Sequence, residues 1–260
     1  MNSVSDNFYK NHIVCNTKMT PTTMPLVHVC DCHRLRNILV SNAIIPTKCP
    51  VFKEDLAYFF YGRPSYRIGD GGLSSNTPSL FPVCFILNSA YIKNIKRVFP
   101  FDTGAFSAGL YKKYIHSTAT FSDYIFEPTY DFIRRYVDLF YSSNKNYFNG
   151  QATIEKGLIP AMAFELQSLH QMITATSTEE VDDRCYTVEI QSFSDVDISG
   201  GAVMAIVLPI TILSDPTVSS YLFDNNIEPI TYETSRCAPS SLTPLIIDKV
   251  RNYYLDEGVI

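Results

Sequence analysis

The residues with the clearest potential for chemistry stand between positions 27 and 67. His28 lies in a short apolar segment, and the run Tyr61-Gly62-Arg63-Pro64-Ser65-Tyr66-Arg67 sets two arginines and two tyrosines around a glycine–proline turn. An arginine at such a turn can bind a phosphate or a carboxylate through two parallel hydrogen bonds, and tyrosines at a pocket edge can stack on a flat ring. The simpler alternative is packing alone, with a core histidine and a surface arginine. Because packing does not explain the composition of the turn, we predict a ligand site here.

Four soft metal ligands occur near this segment, but their spacing does not fit a metal site. Cys30, Cys32, His33 and Cys49 lack the spacing of a zinc knuckle, so buried thiols are favoured over zinc. The run Gly69-Asp70-Gly71-Gly72 lacks the lysine and hydroxyl residue of a P-loop and opens no helix. We therefore predict no metal and neither a P-loop nor a dinucleotide fingerprint. Reduced thiols in a cytoplasmic protein are favoured by the odd, scattered set of cysteines, which is Cys15, Cys30, Cys32, Cys49, Cys84, Cys185 and Cys237.

The composition of the 260 residues excludes several classes of protein. With 46% hydrophobic and 18% charged residues, the chain is neither disordered nor collagenous. Its formal net charge of −5 does not attract polyanions, so contact with nucleic acid requires a local basic patch. The polar N-terminus has no signal-peptide pattern, and no apolar stretch approaches 18 residues. We expect no secretion, no membrane span and no membrane partner.

These candidate residues require a small set of strands and helices to position them. We predict strands at 26–30 and 56–61, with Asp31 as the N-cap of a helix over 33–43 that ends before Pro46. The segment 100–124 has no sustained period, and long loops of this kind are usually functional. The remaining expectations are buried strands at 81–87, 185–191 and 202–210 and helices at 129–140, 157–173 and 243–255. The pattern predicts one α+β domain over 25–260, preceded by an irregular arm at 1–24.

The chain from 26 to 46 resembles the opening of the ADP-ribosyltransferases, in which a strand with a motif histidine leads into a helix. Its two parts are Leu26-Val27-His28-Val29-Cys30 and Leu35-Arg36-Asn37-Ile38-Leu39-Val40-Ser41-Asn42-Ala43-Ile44-Ile45-Pro46. The next block, Ala57-Tyr58-Phe59-Phe60-Tyr61-Gly62-Arg63-Pro64-Ser65-Tyr66, resembles the second motif of the family. It is particularly similar to DarT-type nucleic-acid ADP-ribosyltransferases, in which an aromatic strand runs into an arginine. Asn42 replaces the usual glycine, and asparagine also adopts left-handed conformations.

The third element of the family is a glutamate on a late strand. The best match is Arg184-Cys185-Tyr186-Thr187-Val188-Glu189-Ile190-Gln191, which sets Glu189 among buried neighbours. Strand alternation leaves open a second interpretation, an outward-facing residue of an edge strand. The Glu-x-Glu or Gln-x-Glu signature of arginine-modifying toxins is missing, because Glu189 precedes Gln191, and this disfavours arginine as the acceptor. The weaker candidates are Glu165, Glu179 and Glu180.

The resemblance implies a fold, a reaction and a role for each matched residue. The fold is a single ADP-ribosyltransferase-like domain with a split, mostly antiparallel central sheet flanked by helices, and the co-substrate is NAD⁺, without a metal. In the reaction, ADP-ribose passes to a macromolecule through an oxocarbenium-like transition state. His28 would bind ribose hydroxyls and Arg63 the pyrophosphate, while Glu189 would bind the 2′-hydroxyl of the nicotinamide ribose and act as general base. These three are the catalytic residues, and the further cofactor-binding residues are Tyr58, Tyr61, Tyr66 and Arg67.

The acceptor is expected to meet the segment 100–124. Lys112 and Lys113 beside Tyr114 could pair with phosphates and stack on bases, as in proteins that bind single strands. Nucleic acid is favoured over protein as the acceptor, and the biological role would be a bacterial toxin of a toxin–antitoxin or anti-phage module, with an antitoxin partner. Two alternatives stay open: an NAD⁺ glycohydrolase or RNA 2′-phosphotransferase with the same pocket, and a non-catalytic module that binds NAD⁺ or ADP-ribose.

Overall fold

The computed structural model describes residues 4–67, 73–175 and 182–260. The chain divides into two compact units, of which unit 1 comprises Met1–Met24, Ile95–Ile190 and Val259–Ile260, and unit 2 comprises Pro25–Asn94 and Gln191–Gly258. The N-terminal residues thus belong with the middle of the chain. The single domain over 25–260 stays a prediction. The loop residues 69–72 and the candidates Glu179 and Glu180 lie outside the described residues.

The chain is mixed α/β. Its described strands are β1 (Leu26–Asp31), β2 (Ala43–Ile44), β3 (Thr47–Lys48), β4 (Asp55–Tyr61), β5 (Pro82–Leu87), β6 (Ile95–Phe99), β7 (Glu189–Ser192), β8 (Val196–Asp197), β9 (Val203–Pro209) and β10 (Glu228–Tyr232). Its described α-helices are α1 (Val4–Cys15), α2 (Cys32–Ser41), α3 (Thr103–Ser107), α4 (Phe121–Tyr124), α5 (Tyr130–Tyr141), α6 (Asn144–Phe148), α7 (Phe164–Thr174), α8 (Ile210–Leu213), α9 (Pro216–Asp224) and α10 (Thr243–Asp256). Short 3-10 helices cover Pro78–Leu80, Ser89–Tyr91, Lys156–Leu158, Asp183–Tyr186 and Pro239–Leu242.

Unit 2 is built on a mostly antiparallel sheet, as the sequence predicts. Its strands run in the order β10-β9-β5-β1-β4, and only the pair β9–β10 among them is parallel. Strand β5 is central and all six of its residues are buried, so its continuous apolar sequence reflects cover on both faces. The register places His28 opposite Phe85 and Val27 opposite Phe60. This register fixes the part of the site that β1 and β4 carry.

Helix α2 begins after the predicted N-cap Asp31, but it ends at Ser41, two residues before the predicted end at 43. The Asp31 carboxylate accepts a hydrogen bond from the Arg34 amide at 2.8 Å, which satisfies a donor at the open end of the helix. Asn42 closes the helix in the left-handed conformation, with φ 54°, a geometry that asparagine tolerates. The helix buries Leu35 and Ile38. The histidine strand and its helix are therefore connected by a tight, well-capped junction.

Helix α10 confirms the prediction for 243–255. It packs against β5 and β9 and buries Ile246, Val250 and Tyr254, which stand four residues apart on one face. The apolar spacing in the sequence therefore matches the buried face of this helix.

The prediction of an irregular arm over 1–24 is wrong for residues 4–15. Residues Val4–Cys15 form a helix that packs on α5 and buries Tyr9 and Ile13, one turn apart. The Tyr9 hydroxyl donates to the Ile125 carbonyl at 2.7 Å. Polar composition alone does not exclude a helix when a few apolar residues find a partner surface, because tertiary packing supplies most helical stability.

Three further boundaries differ from the sequence prediction in unit 1. The segment 100–124 contains two short helices, α3 and α4, instead of an extended loop. Helix α7 starts only at Phe164, after the 3-10 turn Lys156–Leu158 and Pro160. Strand β7 starts at Glu189, because Asp183–Tyr186 forms a 3-10 helix. Helix α5 confirms the prediction at 129–140, with Thr129 as its N-cap.

Candidate active site

His28 stands on β1 with a defined protonation pattern. Its Nδ1 lies 2.9 Å from the Tyr58 carbonyl oxygen on β4. Because a carbonyl only accepts, Nδ1 carries the proton and donates, which leaves a lone pair on Nε2. Burial lowers the pKa of His28 to about 4; the hydrogen bond to the Tyr58 carbonyl opposes this shift, and the positive charge of Arg34 adds to it. His28 is therefore a neutral hydrogen-bond acceptor at neutral pH.

The His28 ring is held between aromatic neighbours. Its centroid lies 5.7 Å from that of Phe59 and 6.3 Å from that of Phe85, with tilted planes. These rings belong to the strands on either side of β1. The imidazole is thus oriented by packing as well as by its hydrogen bond, as a pre-organised acceptor requires.

Tyr58 is tied to the β3–β4 hairpin through its hydroxyl. The hydroxyl donates to Cys49 Sγ at 2.7 Å. The same sulfur accepts from the amides of Val51 and Phe52, at 3.3 and 3.4 Å. The half-buried Tyr58 side chain is therefore fixed at its hydroxyl.

The turn after β4 holds Arg63 in a buried position. Gly62 adopts φ 66°, which favours glycine, and its amide donates to the Pro25 carbonyl at 2.9 Å. Arg63 is 8% exposed, which rules out the surface arginine of the packing interpretation. Arg67 donates from Nη1 to the Ser65 carbonyl at 3.0 Å. Arg63 is therefore buried after β4, and the Arg67 side chain folds back onto the turn.

The two tyrosines of this motif occupy different environments. Tyr61 is fully buried in the core of unit 2. Tyr66 is half-buried and lines a small cavity with Val29, Pro64 and Pro82. Tyr66 is therefore the tyrosine of this pair that borders a cavity.

Glu189 is the first residue of β7, and both of its carboxylate oxygens are hydrogen-bonded. Oε2 accepts from the Thr103 amide at 2.9 Å, and Oε1 accepts from the Thr103 hydroxyl at 2.7 Å. Glu189 is 2% exposed, so the interpretation as an outward-facing residue of an edge strand is wrong. A buried carboxylate gripped at both oxygens has a fixed orientation, as catalysis by a charged group demands.

A second buried acid adjoins this pair. Asp102 caps α3, and its Oδ1 accepts from the Ala105 amide at 2.7 Å. Burial raises the pKa of Asp102, while the positive charge of Arg184 lowers it. Arg184 also forms an ion pair with Asp182 at 2.6 Å. Asp102, which precedes the Glu189 partner Thr103 in the chain, is therefore surrounded by further charged groups.

The predicted acceptor-binding residues lie on a turn between α3 and α4. Lys112 and Lys113 are exposed and Tyr114 is half-buried, with Lys113 Nζ 5.8 Å from the centre of the Tyr114 ring. The adjacent Tyr111 is buried against Phe101, with ring centroids 5.4 Å apart. The basic turn is thus anchored on an aromatic cluster.

The predicted residues are distributed over the two units. Unit 2 carries the His28–Tyr58 pair and the arginine turn, and unit 1 carries Glu189 and the basic turn. That the two groups form one site stays a prediction. Among the other acids, Glu165 lies in the first turn of α7.

Thr103 is a member of the site that the sequence did not reveal. It lies 86 positions from Glu189 in the chain, inside a segment without periodicity. Neither its residue type nor its distance in sequence from the motif residues identifies Thr103 as a partner of Glu189. The nearest signal is Asp102, a residue type typical of helix N-caps, which indicates a helix start but no carboxylate partner.

Comparison with known proteins gives no assignment: no protein-family model and no curated protein matches the chain. Within residues 4–67, 73–175 and 182–260, no helix is long and apolar enough to cross a membrane. The same residues contain no group of three or more histidines, cysteines and acids placed to hold a metal ion.

Proposed function

We propose that the protein is an NAD⁺-dependent ADP-ribosyltransferase. The observation that carries the proposal is the buried Glu189 carboxylate, held at both oxygens on the strand that matches the family's glutamate motif. The neutral, oriented His28 on the matching first strand adds support.

Each of these residues has a role in the proposed reaction that follows from the chemistry of its side chain. NAD⁺ supplies a glycosidic bond whose electron pair leaves with nicotinamide. His28 Nε2 accepts a hydrogen bond from a ribose hydroxyl, and Arg63 neutralises pyrophosphate oxygens. Glu189 stabilises positive charge at the ribose and takes the proton that the acceptor loses when it forms the new bond. Tyr58 and Tyr66 flank the nicotinamide ring, and Tyr61 and Arg67 support the turn.

Nucleic acid is the acceptor class that the basic turn favours. Lys112 and Lys113 are exposed beside the Tyr114 ring, the combination that pairs phosphates and stacks bases. Transfer to a nucleic acid inside a cell would be toxic, so the role we propose is that of a bacterial toxin in a toxin–antitoxin or anti-phage module, in the cytoplasm.

The decisive experiment offers NAD⁺ labelled in its adenylate to single-stranded DNA, to RNA and to lysate protein in separate reactions. We expect label in a nucleic-acid pool that requires the protein. Nicotinamide release with no labelled acceptor would indicate a glycohydrolase, and activity only on 2′-phosphorylated RNA a phosphotransferase. Thermal stabilisation by NAD⁺ without turnover would indicate a binding module, since a ligand at 100 times its Kd stabilises by about 2.7 kcal/mol. If millimolar NAD⁺ produces no turnover and no thermal stabilisation, the proposal is refuted.

The double variant Lys112→Ala/Lys113→Ala should separate acceptor binding from NAD⁺ chemistry. We expect transfer to nucleic acid to fall about tenfold, because two phosphate contacts are lost. Each lost contact should also reduce the slope of log K against log salt by about 0.7 for single strands. Nicotinamide release without acceptor should stay unchanged. The matched control is Lys48→Ala/Lys93→Ala, which removes two exposed lysines of unit 2. Equal effects of the two double variants would exclude the basic turn as the acceptor surface.

A further inference from the structure

Thr103 binds the Glu189 carboxylate with two different groups at once. Its amide donates to Oε2 at 2.9 Å and its hydroxyl donates to Oε1 at 2.7 Å. Both residues are almost completely buried. One residue therefore sets the plane of the carboxylate, because two donors from a single rigid residue fix both oxygens.

The backbone of Thr103 is itself held in place. The preceding residue, Asp102, accepts from the Ala105 amide at 2.7 Å and donates its own amide to the Arg184 carbonyl at 3.2 Å. Arg184 belongs to the 3-10 helix Asp183–Tyr186, a few residues before β7. The segment around Thr103, which binds the carboxylate, is thus hydrogen-bonded through Asp102 to the segment that precedes β7.

The backbone beside Glu189 has a separate anchor. The Val188 amide donates to the buried hydroxyl of Tyr147 at 2.9 Å. Tyr147 is fully buried and packs edge-on against Tyr141, with ring centroids 5.2 Å apart. The strand start is therefore fixed independently of Thr103, so a change at Thr103 acts on the carboxylate rather than on the position of β7.

We infer that Thr103 is a positioning residue that orients Glu189 and keeps its carboxylate ionised for the reaction. This inference rests on the proposed function. An ionised carboxylate offers about four acceptor positions, of which Thr103 uses two. Hydrogen bonds to the ionised form favour that form, and two donors from one residue fix the plane of the carboxylate.

Asp102, next to Thr103 in the chain, belongs to a set of interacting charged and titratable groups that stay the same in the test. They are Asp102 and Tyr111 on the segment around α3, and Asp182, Arg184 and Cys185 on the segment before β7. Burial raises the pKa of both Asp102 and Tyr111. A substitution at Thr103 leaves these five groups unchanged. A difference between the variants in the titration of the Glu189 carboxylate therefore reports the loss of the Thr103 hydroxyl.

The test compares Thr103→Val, which keeps the shape and the amide but removes the hydroxyl, with Thr103→Ser, which keeps the hydroxyl. Thr103→Val should lower kcat about 10- to 100-fold, as expected for a lost hydrogen bond to a charged group. It should change KM for NAD⁺ less than about threefold and move the acidic limb of the pH–activity profile to higher pH. Thr103→Ser should restore kcat to within about threefold and return the acidic limb to its wild-type position. Equal losses in Val and Ser, or an unmoved pH profile in Val, would overturn the inference.

A second measurement separates this inference from the proposed function. Infrared or carbon-13 titration of labelled glutamate carboxyls, with Glu189→Gln identifying the signal, follows Glu189 without any reaction. The Glu189 signal should titrate at higher pH in Thr103→Val than in the wild type or Thr103→Ser. If the wild type transfers no ADP-ribose but this difference is found, the proposed function fails while the hydrogen-bond role of Thr103 holds. If all three proteins titrate alike, the inference fails whatever the activity.

Discussion

Replacing Glu189 with glutamine should reduce ADP-ribose transfer about 1,000-fold or more while NAD⁺ affinity changes little. Loss of one pre-organised electrostatic group costs about 100- to 1,000-fold in comparable sites, and Glu189 is assigned a second role as proton acceptor. The measurement is initial-rate transfer of labelled ADP-ribose, with NAD⁺ binding followed by calorimetry. A fall in kcat without a rise in KM indicates an interaction made in the transition state.

Glutamine is a suitable replacement because Thr103 can bind it. The amide oxygen can accept from the Thr103 amide, and the amide NH₂ can donate to the Thr103 hydroxyl, which also accepts. Both contacts of the wild type therefore have a counterpart, and the variant should fold. Circular dichroism and the thermal unfolding midpoint would verify this.

The matched control is Glu165→Gln. Glu165 lies in the first turn of α7, also in unit 1, and is the described alternative to Glu189. It should retain transfer within about twofold, as is usual for substitutions away from a site. A loss of transfer in Glu165→Gln with full activity in Glu189→Gln would move the catalytic glutamate to α7. Full activity in both variants would leave the proposed mechanism without a base.

The sequence predicts the first half of unit 2 well because its signals are local. Asp31 caps α2 three residues from its hydrogen-bond partner, and Asn42 ends the helix by its own backbone conformation. The apolar run of β5 is typical of a strand covered on both faces. Each of these features depends on a few neighbouring residues, so the local amino-acid sequence is enough to predict it.

The parts that the sequence misses depend on distant partners. Helix α1 is stable because Tyr9 and Ile13 pack on α5, more than a hundred positions away. The segment 100–124 has no period because α3 and α4 are too short to show one, and its order comes from an aromatic cluster. Such packing cannot be read from local propensity, because tertiary contacts override it.

For the candidate residues too, some properties can be predicted from the sequence and others depend on distant partners. The types of His28, Arg63 and Glu189 are visible in the sequence, as residues that match motifs. Their states are not, since the proton on His28 Nδ1 follows from a carbonyl on another strand. The hydrogen bonds from Thr103 to Glu189 likewise join two distant segments, and no sequence motif indicates that they pair. Sequence therefore indicates which chemistry is present, and the structure gives its protonation and orientation.

The free energy of unfolding should fall by about 3 kcal/mol between pH 6.5 and pH 4 because of His28 alone. Burial lowers the pKa of His28 from 6.5 to about 4, and each unit of difference corresponds to about 1.4 kcal/mol. The unfolded chain takes up the proton as the pH falls through 6.5, whereas the folded protein does so only near 4. The neutral imidazole thus contributes its full stability above pH 6.5, and that contribution is lost across this window.

Urea unfolding followed by circular dichroism at several pH values would measure this effect. The variant His28→Asn removes the titrating group and keeps an amide that can donate to the Tyr58 carbonyl. Subtracting its curve from that of the wild type removes the contribution of all other acids. The control His33→Asn, at an exposed position of α2, should keep the wild-type pH dependence. Parallel curves for the wild type and His28→Asn between pH 6.5 and 4 would exclude a lowered pKa for His28.

The same proton links stability to the proposed reaction. Protonation of His28 places a hydrogen on Nε2 and so removes the acceptor that we assign to a ribose hydroxyl. NAD⁺ binding should therefore weaken with a midpoint near pH 4, the depressed pKa of the folded protein, and not near 6.5. In His28→Asn the affinity should be low and should not vary in this range. A midpoint near 6.5 in the wild type would mean that a solvated histidine, and not His28 on β1, controls binding.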